Sequence, residues 1–439
     1  MKNSFYITLS MMVTLIVVLL TGSVNLFDDI LFFCNLSLVL YCLFGYHSYE
    51  AVTLHKVVNL FILIFFIIAI TIQFKNDSIV TSLFVRFTDK DYTLFQVLLF
   101  FIILIYNGTY SIFYSSIKNK AFTEDKYLSR ETWLILLSLL SFLLNLYSVG
   151  FNFSTLLFRG LLGENGESYA TISSIQLIIS HFIRPIPNAC LMAAIITNAK
   201  KKCTIILLII SLIAVFPTSL SRNAVAMYWL PIVLLMLWKL FRKENIFLFV
   251  MLVGYFVIFP FMDNFRYFNG KVSFKFSLDY LNTMNFDSGQ NLLYVIKNDI
   301  VTNGRQLLGA LLFFVPRRIW PNKPIGSGAF VAGFSPGSFS NISMPYFGEG
   351  YVNFGYLGVL FFTLVISYIS AKMDKAFWKK SKNEFVLDDG YFLIMVGSFT
   401  FILRGDLMSS IAYTSGFLLT YFVISKLCVK VNSRFLKVI

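Results

Sequence analysis

The amino-acid sequence predicts an all-α fold, a polytopic transmembrane helical bundle of about twelve spans with one long extracytoplasmic loop. Of its 439 residues, 57% are hydrophobic and only 13% are charged, and the mean hydropathy is +0.75. A soluble domain of this length could not hide so much apolar surface. Apolar runs of about 17–25 residues, the length that crosses a ~30 Å hydrocarbon core, recur along the chain.

Twelve spans can be identified from these apolar runs. They cover roughly residues 5–21, 28–46, 57–73, 93–116, 132–149, 169–197, 204–217, 223–240, 246–262, 346–370, 390–408 and 410–427. The seventh is short, and the last two are joined tightly. The first is expected to be a retained span rather than a signal peptide, because no small-residue cleavage site follows it.

The distribution of basic residues predicts the orientation of the bundle. With the N-terminus in the cytoplasm, twenty-one Lys and Arg residues fall on the inner side and five fall in the short outer loops. An even number of spans then places both termini inside. The net charge of +14 therefore reflects membrane orientation, and we expect no nucleic-acid partner. The five cysteines suggest neither a disulfide framework nor a metal site.

Residues 263–345 form the predicted outer loop. They separate spans 1–9, in residues 1–262, from spans 10–12, in residues 346–439. The loop holds eight Lys and Arg residues although it faces outward. Long loops escape the charge bias, so these residues need another explanation.

Three shorter features are expected inside this loop. Apolar residues at helical spacing over 291–300 predict a helix that lies at the membrane interface. The apolar run 307–315 is too short to span and predicts a re-entrant or interfacial helix. Residues 326–340 are rich in Gly and Ser, which predicts a mobile lid over a site.

A proline-rich basic stretch in the loop is the first candidate for binding a phosphate or diphosphate. Residues 313–324 read FFVPRRIWPNKP, and the prolines forbid helix and are expected to hold the chain extended. Arg317, Arg318 and Lys323, backed by Trp320, would then form a rigid cationic pocket, with Arg317 as a catalytic candidate. The alternative is anchoring to lipid headgroups, because Trp and Arg both favour the interface. Arg266 and Arg305 are the further substrate-binding candidates of the loop.

Arg404 lies in the sequence FILRGD, between the last two spans. An arginine in the apolar zone costs roughly 2.5–3.5 kcal/mol on insertion scales, so it is expected to face a partner or a wet cavity. A structural pair with Asp406 is the alternative. The two residues would not share a helix face, and Gly405 predicts a break between them. Arg404 is a catalytic candidate, and Asp406 a substrate-binding one.

Two arginines near outer helix ends are further candidates for substrate binding. Arg222 lies at a predicted helix start. Arg184 shares a helical face with His181 and precedes Pro185 and Pro187, which are expected to kink the sixth span. Either arginine could line an outer cavity. For His181, the alternative is a polar residue inside the bundle whose hydrogen bonds are satisfied by neighbouring groups.

Glu349, in the Gly-rich sequence FGEGYVNFG, is the candidate general base. Flanking glycines would let a substrate approach the backbone closely. A salt bridge to one of the arginines is the alternative, and the other acidic candidates are Asp263, Asp287 and Asp406. No nucleotide or metal motif is visible, so we expect no cofactor and no metal.

The stretch PRRIWPNKP at 316–324, the stretch GEGYVNFG at 348–355 and Arg404-Gly405-Asp406 together resemble the motifs of bacterial O-antigen and oligosaccharide repeat-unit polymerases, the Wzy family. The motif-bearing part is roughly residues 263–410. The first 200 residues are similar only as a pattern of spans.

The resemblance implies a GT-C-like membrane glycosyltransferase at the outer face of the bacterial inner membrane. Its substrates would be undecaprenyl-diphosphate-linked oligosaccharides, used in the synthesis of O-antigen, capsule or exopolysaccharide. The lipid diphosphate would leave, arginine charge would stabilise it in place of a metal, and a carboxylate would deprotonate the acceptor hydroxyl. Membrane lipid, a Wzx-type flippase and a Wzz-type chain-length regulator are the implied partners.

Two other functions stay open at this point. An O-antigen ligase would carry a catalytic histidine in its large outer loop, whereas His47, His55 and His181 lie outside this loop. A flippase or transporter would spread intramembrane charges through both halves of the chain. Here the unusual residues concentrate on one face, which favours an enzyme.

Overall fold

The computed structural model describes residues 26–45, 50–117, 127–158, 178–243, 245–263, 278–334, 342–379 and 385–431. Within these residues the chain is helical apart from one small sheet, as the sequence predicts. In that sheet, β1 (Tyr127–Ser129) pairs antiparallel with β2 (Val429–Val431), with Leu128 opposite Lys430. The pairing ties the segment before the fourth helix to the end of the last helix.

The helices of the first half follow one another with short links. They are α1 (Leu26–Phe44), α2 (Leu54–Lys75), α3 (Asp89–Ser116), α4 (Glu131–Ser148), α5 (Phe153–Leu157), α6 (Ile179–Ile196) and α7 (Lys201–Ala214). In α2 the middle turns, Ile62–Ala69, are π-helical, and α6 begins with a π-helical turn at Ile179–Ile183. Pro185 marks the change to α-helix in α6, at the predicted kink.

The second half contains longer links between its helices. Its helices are α8 (Arg222–Met236), α9 (Trp238–Phe241), α10 (Ile246–Val253, continued by Gly254–Ile258 and Phe259–Asp263), α11 (Ser288–Lys297), α12 (Arg305–Leu311), α13 (Ser327–Ala332), α14 (Tyr346–Trp378), α15 (Asp389–Arg404) and α16 (Leu407–Leu427). Short 3₁₀ turns at Leu278–Asn282 and Met284–Phe286 precede α11.

Seven helices in the described part of the chain are long and apolar enough to cross a membrane. They are α2, α3, α4, α6, α7 with the turn that follows it to Ser219, α14 and α16. The described residues of the predicted spans from the second to the twelfth fall mainly in one helix or in consecutive helices, and residues 169–177 of the sixth lie outside the described residues. The first predicted span, 5–21, lies outside the described residues. A polytopic helical membrane protein is therefore confirmed, while the count of twelve spans stays a prediction.

The most buried helix, α2, lies at the centre of the bundle. In its most apolar stretch, 89% of the residues are buried against the rest of the protein. The Asp374 carboxylate of α14 accepts hydrogen bonds from the Leu54 and His55 backbone N–H groups, at 2.7 and 3.1 Å. The first N–H groups of a helix have no partner inside it, so a buried carboxylate stabilises this end. This contact fixes the start of α2 against α14.

A sharp bend divides α14 and sets the position of Glu349. Phe354 and Gly355 leave the helical conformation, and Gly355 has φ +61° and ψ −147°, which L side chains rarely adopt. A Cβ added at Gly358 would overlap the Gly350 carbonyl oxygen, so only glycine lets the two segments pack this closely. The predicted span 346–370 falls within α14, and the structure adds a bend inside it that the sequence does not predict. Residues 346–353 form a separate helical segment.

The described residues of the predicted outer loop, 278–334 and 342–345, are more helical and more buried than expected. α11 replaces the interfacial helix predicted over 291–300, and its residues from Ser288 to Ile296 are all buried. This helix therefore packs inside the protein, and its position at the membrane interface stays a prediction. α12 confirms a short helix near 307–315.

Two other expectations for this segment also need correction. Residues 316–323 are not extended. They form consecutive turns, with Ile319 N–H donating to the Pro316 carbonyl at 3.0 Å and Lys323 N–H to the Trp320 carbonyl at 3.1 Å. α13 occupies the first part of the expected mobile lid, and its Ser327, Gly328, Val331 and Ala332 are buried. The rest of the expected lid, 335–340, lies outside the described residues.

Candidate functional site

The break between α15 and α16 confirms the sequence prediction at Gly405. α15 ends at Arg404, Gly405 is extended, and α16 starts at Leu407. The Asp406 carboxylate caps α16 by accepting from Ser409 N–H at 3.2 Å. Its other oxygen accepts from Gly328 N–H of α13 at 3.0 Å. The break therefore presents Arg404 and Asp406 to different partners.

A carboxylate pair forms where α13 meets this break. Glu349 is 1% exposed and accepts from the Ser327 hydroxyl at 2.6 Å and from the Leu407 N–H at 2.9 Å. A Cβ added at Gly326 would collide with the Asp406 carboxylate, so a glycine is required there. Residues 326–328 thus contact both carboxylates and hold them on one side of the helix break.

Glu349 is held by neutral donors. Among the residues that the structure describes, no Lys or Arg lies within ion-pair distance of its carboxylate. The Asp406 carboxylate lies close enough to interact with it electrostatically. A carboxylate that is hydrogen-bonded only by neutral groups keeps its capacity to accept a proton, which is what a general base requires. The predicted alternative, a salt bridge to an arginine, does not occur in the described part of the chain.

Arg404 turns away from Asp406 and pairs with Asp287. Its Nη2 lies 3.5 Å from Asp287 Oδ1 and 3.2 Å from the Met284 carbonyl oxygen. The guanidinium carbon lies 5.9 Å from the centre of the Phe65 ring, within cation–π range. Asp287 also accepts from the Ser343 hydroxyl at 2.6 Å. Burial raises the pKa of Asp287, and the Arg404 charge opposes that rise.

Arg222 lies close enough to Arg404 for the two guanidinium groups to repel each other electrostatically. It donates to the Tyr280 hydroxyl at 2.8 Å and to the Asn285 amide oxygen, both neutral groups. Two guanidinium groups therefore lie near each other at this end of the bundle, and guanidinium groups bind phosphate oxygens well.

Arg184 and His181 share the start of α6, as predicted. Arg184 donates to the Ser219 hydroxyl at 2.8 Å. His181 lies 4.1 Å from the Tyr413 ring, measured between ring centres, and its Nδ1 is 3.0 Å from the Ser180 hydroxyl. The structure gives His181 the packed, hydrogen-bonded surroundings of a polar residue inside the bundle.

The basic loop residues contact their own loop. Arg317 donates to the Lys323 carbonyl at 2.7 Å and to the Pro324 carbonyl at 3.4 Å. The Lys323 ammonium donates to the Phe313 and Val315 carbonyls, at 2.5 and 3.1 Å. Burial lowers the pKa of Lys323, and repulsion from Arg317 lowers it further. These bonds stabilise the turns. They occupy hydrogen-bond donors of Arg317 and Lys323 that the sequence predicts to bind a ligand.

The remaining predicted residues belong to the loop and to the start of α12. Arg318 is exposed on the loop, and Trp320 is half-buried beside it. Arg305 is exposed at the start of α12, where its Nη2 lies 3.4 Å from the Asn322 carbonyl oxygen. Arg266 lies outside the described residues, as does the side chain of Asp263.

Sequence reasoning missed the contribution of Ser327 and gave Asp287 only a minor place. Ser327 stands between two glycines, and that pattern allows a neighbouring side chain to approach closely. From the sequence alone, the same pattern predicts a mobile lid. Nothing in the sequence pairs Asp287 with Arg404, because 117 positions separate them.

Helices that cross a membrane, with charged side chains gathered near their ends, define the class as a multi-pass membrane protein. Residues 342–432 match the model of the family described as O-antigen polysaccharide polymerase Wzy. The matched region is about a fifth of the chain, and it contains Glu349, Arg404 and Asp406. This match confirms the resemblance to the Wzy family and supports a polymerase role in O-antigen synthesis. No curated protein and no solved structure matches the chain.

Proposed function

We propose that this protein polymerises undecaprenyl-diphosphate-linked oligosaccharide repeat units at the outer face of the bacterial inner membrane. The family match over residues 342–432 carries the proposal, because it covers the helix of Glu349 and the break that holds Arg404 and Asp406. The proposal includes a GT-C-like bundle of twelve spans with cytoplasmic termini and an outward segment 263–345. O-antigen, capsule and exopolysaccharide are all within its scope.

The reaction is a glycosyl transfer between two lipid-linked glycans. A hydroxyl oxygen of the acceptor attacks the anomeric carbon of the donor glycan and forms the new glycosidic bond. The bond from that carbon to the diphosphate oxygen breaks, and the lipid diphosphate leaves with the electron pair. The hydroxyl proton passes to a carboxylate. The donor supplies the driving force, so no nucleotide sugar is consumed.

The carboxylate that receives the proton is Glu349 in this proposal. Its support is its burial, its neutral hydrogen-bond donors and the neighbouring Asp406 charge. Among the described residues no cation is paired with this carboxylate, so it can take a proton from a hydroxyl brought beside it. Asp406 holds α13 through Gly328 N–H and thereby positions Ser327 against Glu349.

The departing diphosphate is assigned to the arginines near the outer helix ends. Arg404 and Arg222 offer adjacent positive charge at the helix break and the start of α8, and Arg184 lies at the start of α6. Positioned guanidinium groups stabilise a developing diphosphate charge in the transition state. Arg317 shapes the 316–324 turns and adds positive charge to the outer face. We propose Arg266, Arg318, Lys323 and Trp320 as the outer contacts of the diphosphate.

The test is chain growth with the purified full-length protein in lipid nanodiscs. Lipid-linked repeat units are supplied without nucleotide sugar and with EDTA, and products are resolved as a ladder on a gel. Wild-type protein should produce the ladder, and Glu349→Gln should slow turnover by roughly 10²–10⁴-fold, the range for losing a general base. Glu131→Gln is the matched control, because that carboxylate contacts Lys200 N–H elsewhere in the fold. An absolute need for a divalent ion would rule out the arginine-based account.

A further inference from the structure

A chain of hydrogen bonds leads from the link between α2 and α3 to the Arg404–Asp287 pair. Its first member is Thr81, whose hydroxyl donates to the Asn291 side-chain oxygen at 2.5 Å. The Asn291 amide donates to the Ser343 carbonyl at 2.7 Å, and its nitrogen lies 3.3 Å from the Ser343 hydroxyl oxygen. The Ser343 hydroxyl then donates to Asp287 Oδ1 at 2.6 Å. The chain therefore ends on the same carboxylate oxygen that faces Arg404.

The side chains of this chain lie inside the protein. Thr81, Asn291 and Asp287 are each no more than 4% exposed. A buried amide or hydroxyl costs free energy unless it is hydrogen-bonded, whereas an apolar side chain could fill the same space without a partner. Packing alone therefore does not account for a polar chain at this place. Its distinguishing feature is the group at its end, a carboxylate oxygen paired with an arginine.

The donors and acceptors of the chain fix its direction. The Ser343 carbonyl can only accept, so the Asn291 amide must turn its nitrogen towards it. The Asn291 oxygen is then directed to Thr81, which donates its hydroxyl proton. A reversed amide would bring two carbonyl oxygens together. The Asn291 side chain is thereby held in one orientation.

Gln290, the neighbour of Asn291 in α11, holds the other end of the chain. Its side-chain oxygen accepts from the Val80 and Thr81 N–H groups, at 3.0 and 3.2 Å. Its amide nitrogen donates to the Ser78 carbonyl at 2.7 Å. The link that carries Thr81 is therefore bound to α11 through its backbone as well as through the Thr81 side chain.

Gln73, near the end of α2, holds the turns that carry Asp287. Its amide nitrogen donates to the Leu281 carbonyl at 2.7 Å and to the Phe286 carbonyl at 3.0 Å. Phe286 directly precedes Asp287. The backbone before Asp287 and the Asp287 carboxylate are thus held by separate hydrogen bonds, and both sets lead back to α2 and to the link that follows it.

We propose that Thr81 and Asn291 are positioning residues, which act through Ser343 to hold the Asp287 carboxylate towards Arg404. The inference rests on the proposed polymerase function, in which Arg404 stabilises the departing diphosphate. A guanidinium group lowers the barrier only where the charge develops, and a misplacement of about 1 Å can cost up to about 10²-fold in rate. The chain keeps the guanidinium in that position by fixing its partner.

Chain growth by the full-length protein in nanodiscs measures this role. Asn291→Leu removes both hydrogen bonds of the amide, and kcat should fall by about tenfold with the donor KM within about twofold. Arg404→Gln alone should also slow turnover. Adding Asn291→Leu to Arg404→Gln should lower kcat by less than about a further twofold, because the chain acts through Arg404. A full tenfold loss in that background would overturn the proposal.

Asn35→Leu is the matched control. Asn35 is also fully buried, and its amide donates to the Gln96 side-chain oxygen at 2.9 Å, between α1 and α3. This variant should lose stability as Asn291→Leu does, because each removes a buried hydrogen bond. Its kcat per folded molecule should match wild type. An equal kcat loss in both variants would make the effect of Asn291→Leu a general loss of packing and overturn the positioning role.

Thr81 offers milder variants if Asn291→Leu does not fold. Thr81→Val removes the hydroxyl and keeps the branched shape, so kcat should fall by about threefold. Thr81→Ser keeps the hydroxyl and should restore kcat. A residue that only fills space would give the reverse order, since valine keeps the methyl group that serine lacks. That reverse order would contradict the proposal.

A second measurement requires no chain growth. Phenylglyoxal modifies arginine side chains, and mass spectrometry of the digested protein reports how fast Arg404 reacts. Arg404 should react several-fold faster in Asn291→Leu than in wild type or Asn35→Leu, because its carboxylate partner is no longer fixed. Equal reactivity in all three proteins would overturn the positioning role. Wild-type protein that builds no chain would instead refute the polymerase function, while Arg404 reactivity would still decide the role of Asn291.

Discussion

The guanidinium of Arg404 lies 3.5 Å from the carboxylate of Asp287, although Asp406 is only two positions away in the chain. The helix break at Gly405 makes this choice possible, because it sends Asp406 to α13 and leaves Arg404 facing the turn before α11. Both side chains of the pair are mostly buried, at 15% and 6% exposure. Within three residues, the break therefore directs Asp406 to one set of contacts and Arg404 to another.

The Arg404–Asp287 pair should show energetic coupling. Removing either charge leaves the other buried without compensation, which is more costly than removing both. Asp287→Asn and Arg404→Gln should each lower the melting temperature, and the double variant should be more stable than the summed single effects by about 0.5–3 kcal/mol. Thermal unfolding of the purified variants measures this cycle. Strictly additive effects would mean that the contact has no energetic role.

Ser327 should act by positioning Glu349. Ser327→Ala removes a hydrogen bond of 2.6 Å to the carboxylate without touching the proposed substrate groups. A hydrogen bond to a charged group is worth about 1.5–3 kcal/mol, so kcat should fall by roughly 10–100-fold. Ser327→Thr restores the hydroxyl and should recover part of the rate if the extra methyl group fits. Equal rates for Ser327→Ala and wild type would show that Glu349 needs no such support.

Arg317→Lys should disturb the 316–324 turns and also weaken binding of the donor glycan. Lysine keeps the charge but cannot hold the Lys323 and Pro324 carbonyls with one planar group. We expect faster limited proteolysis of the loop and donor binding weaker by about 1–3 kcal/mol. Arg86→Lys is the control, because Arg86 pairs with Asp77 on the exposed surface. If proteolysis is unchanged and only donor binding falls, Arg317 acts on the ligand alone.

The bend in α14 should depend on glycine at position 358. Gly358→Ala forces a side chain against the Gly350 carbonyl, so we expect a clear loss of thermal stability and a lower level in the membrane. Gly108→Ala is a matched control in the middle of α3, where a Cβ would meet no atom within 4 Å. It should be neutral or stabilise by up to about 1 kcal/mol through helix propensity. Similar melting temperatures for the two variants would argue against the tight contact at Gly350.

The orientation predicted from the basic residues can be tested with reporter fusions. A fusion after Ser277 should report an extracytoplasmic position, and one after Ser381 a cytoplasmic position, because twenty-one basic residues collect on one side. Alkaline phosphatase and green fluorescent protein fusions give opposite readouts and control for each other. The reverse pattern at either position would move the proposed site to the wrong compartment.

Several parts of the site could be anticipated from local sequence, and others could not. Gly405 predicted the helix break because glycine between an arginine and an aspartate disfavours a continuous apolar helix. The Gly-rich sequence at 348–355 singled out Glu349. Its partners Ser327 and Leu407 are 22 and 58 positions away, and only packing brings them together. For the basic loop, the structure differs from the sequence prediction. Its composition predicts a ligand-binding segment, whereas Arg317 and Lys323 donate hydrogen bonds to carbonyl groups of their own loop.

The sequence by itself determined the membrane class and the approximate positions of the helices, because apolar length and composition respond to the thickness of a bilayer and need no partner. It also indicated the resemblance to the Wzy family, because each of the three motifs is a short local stretch of sequence. Only the tertiary structure decided that α14 bends at Gly355, that α11 is buried, that Arg404 pairs with Asp287 and that Ser327 and Leu407 contact Glu349. These features depend on contacts between residues far apart in the chain, where close packing and the need to satisfy buried polar groups select one arrangement.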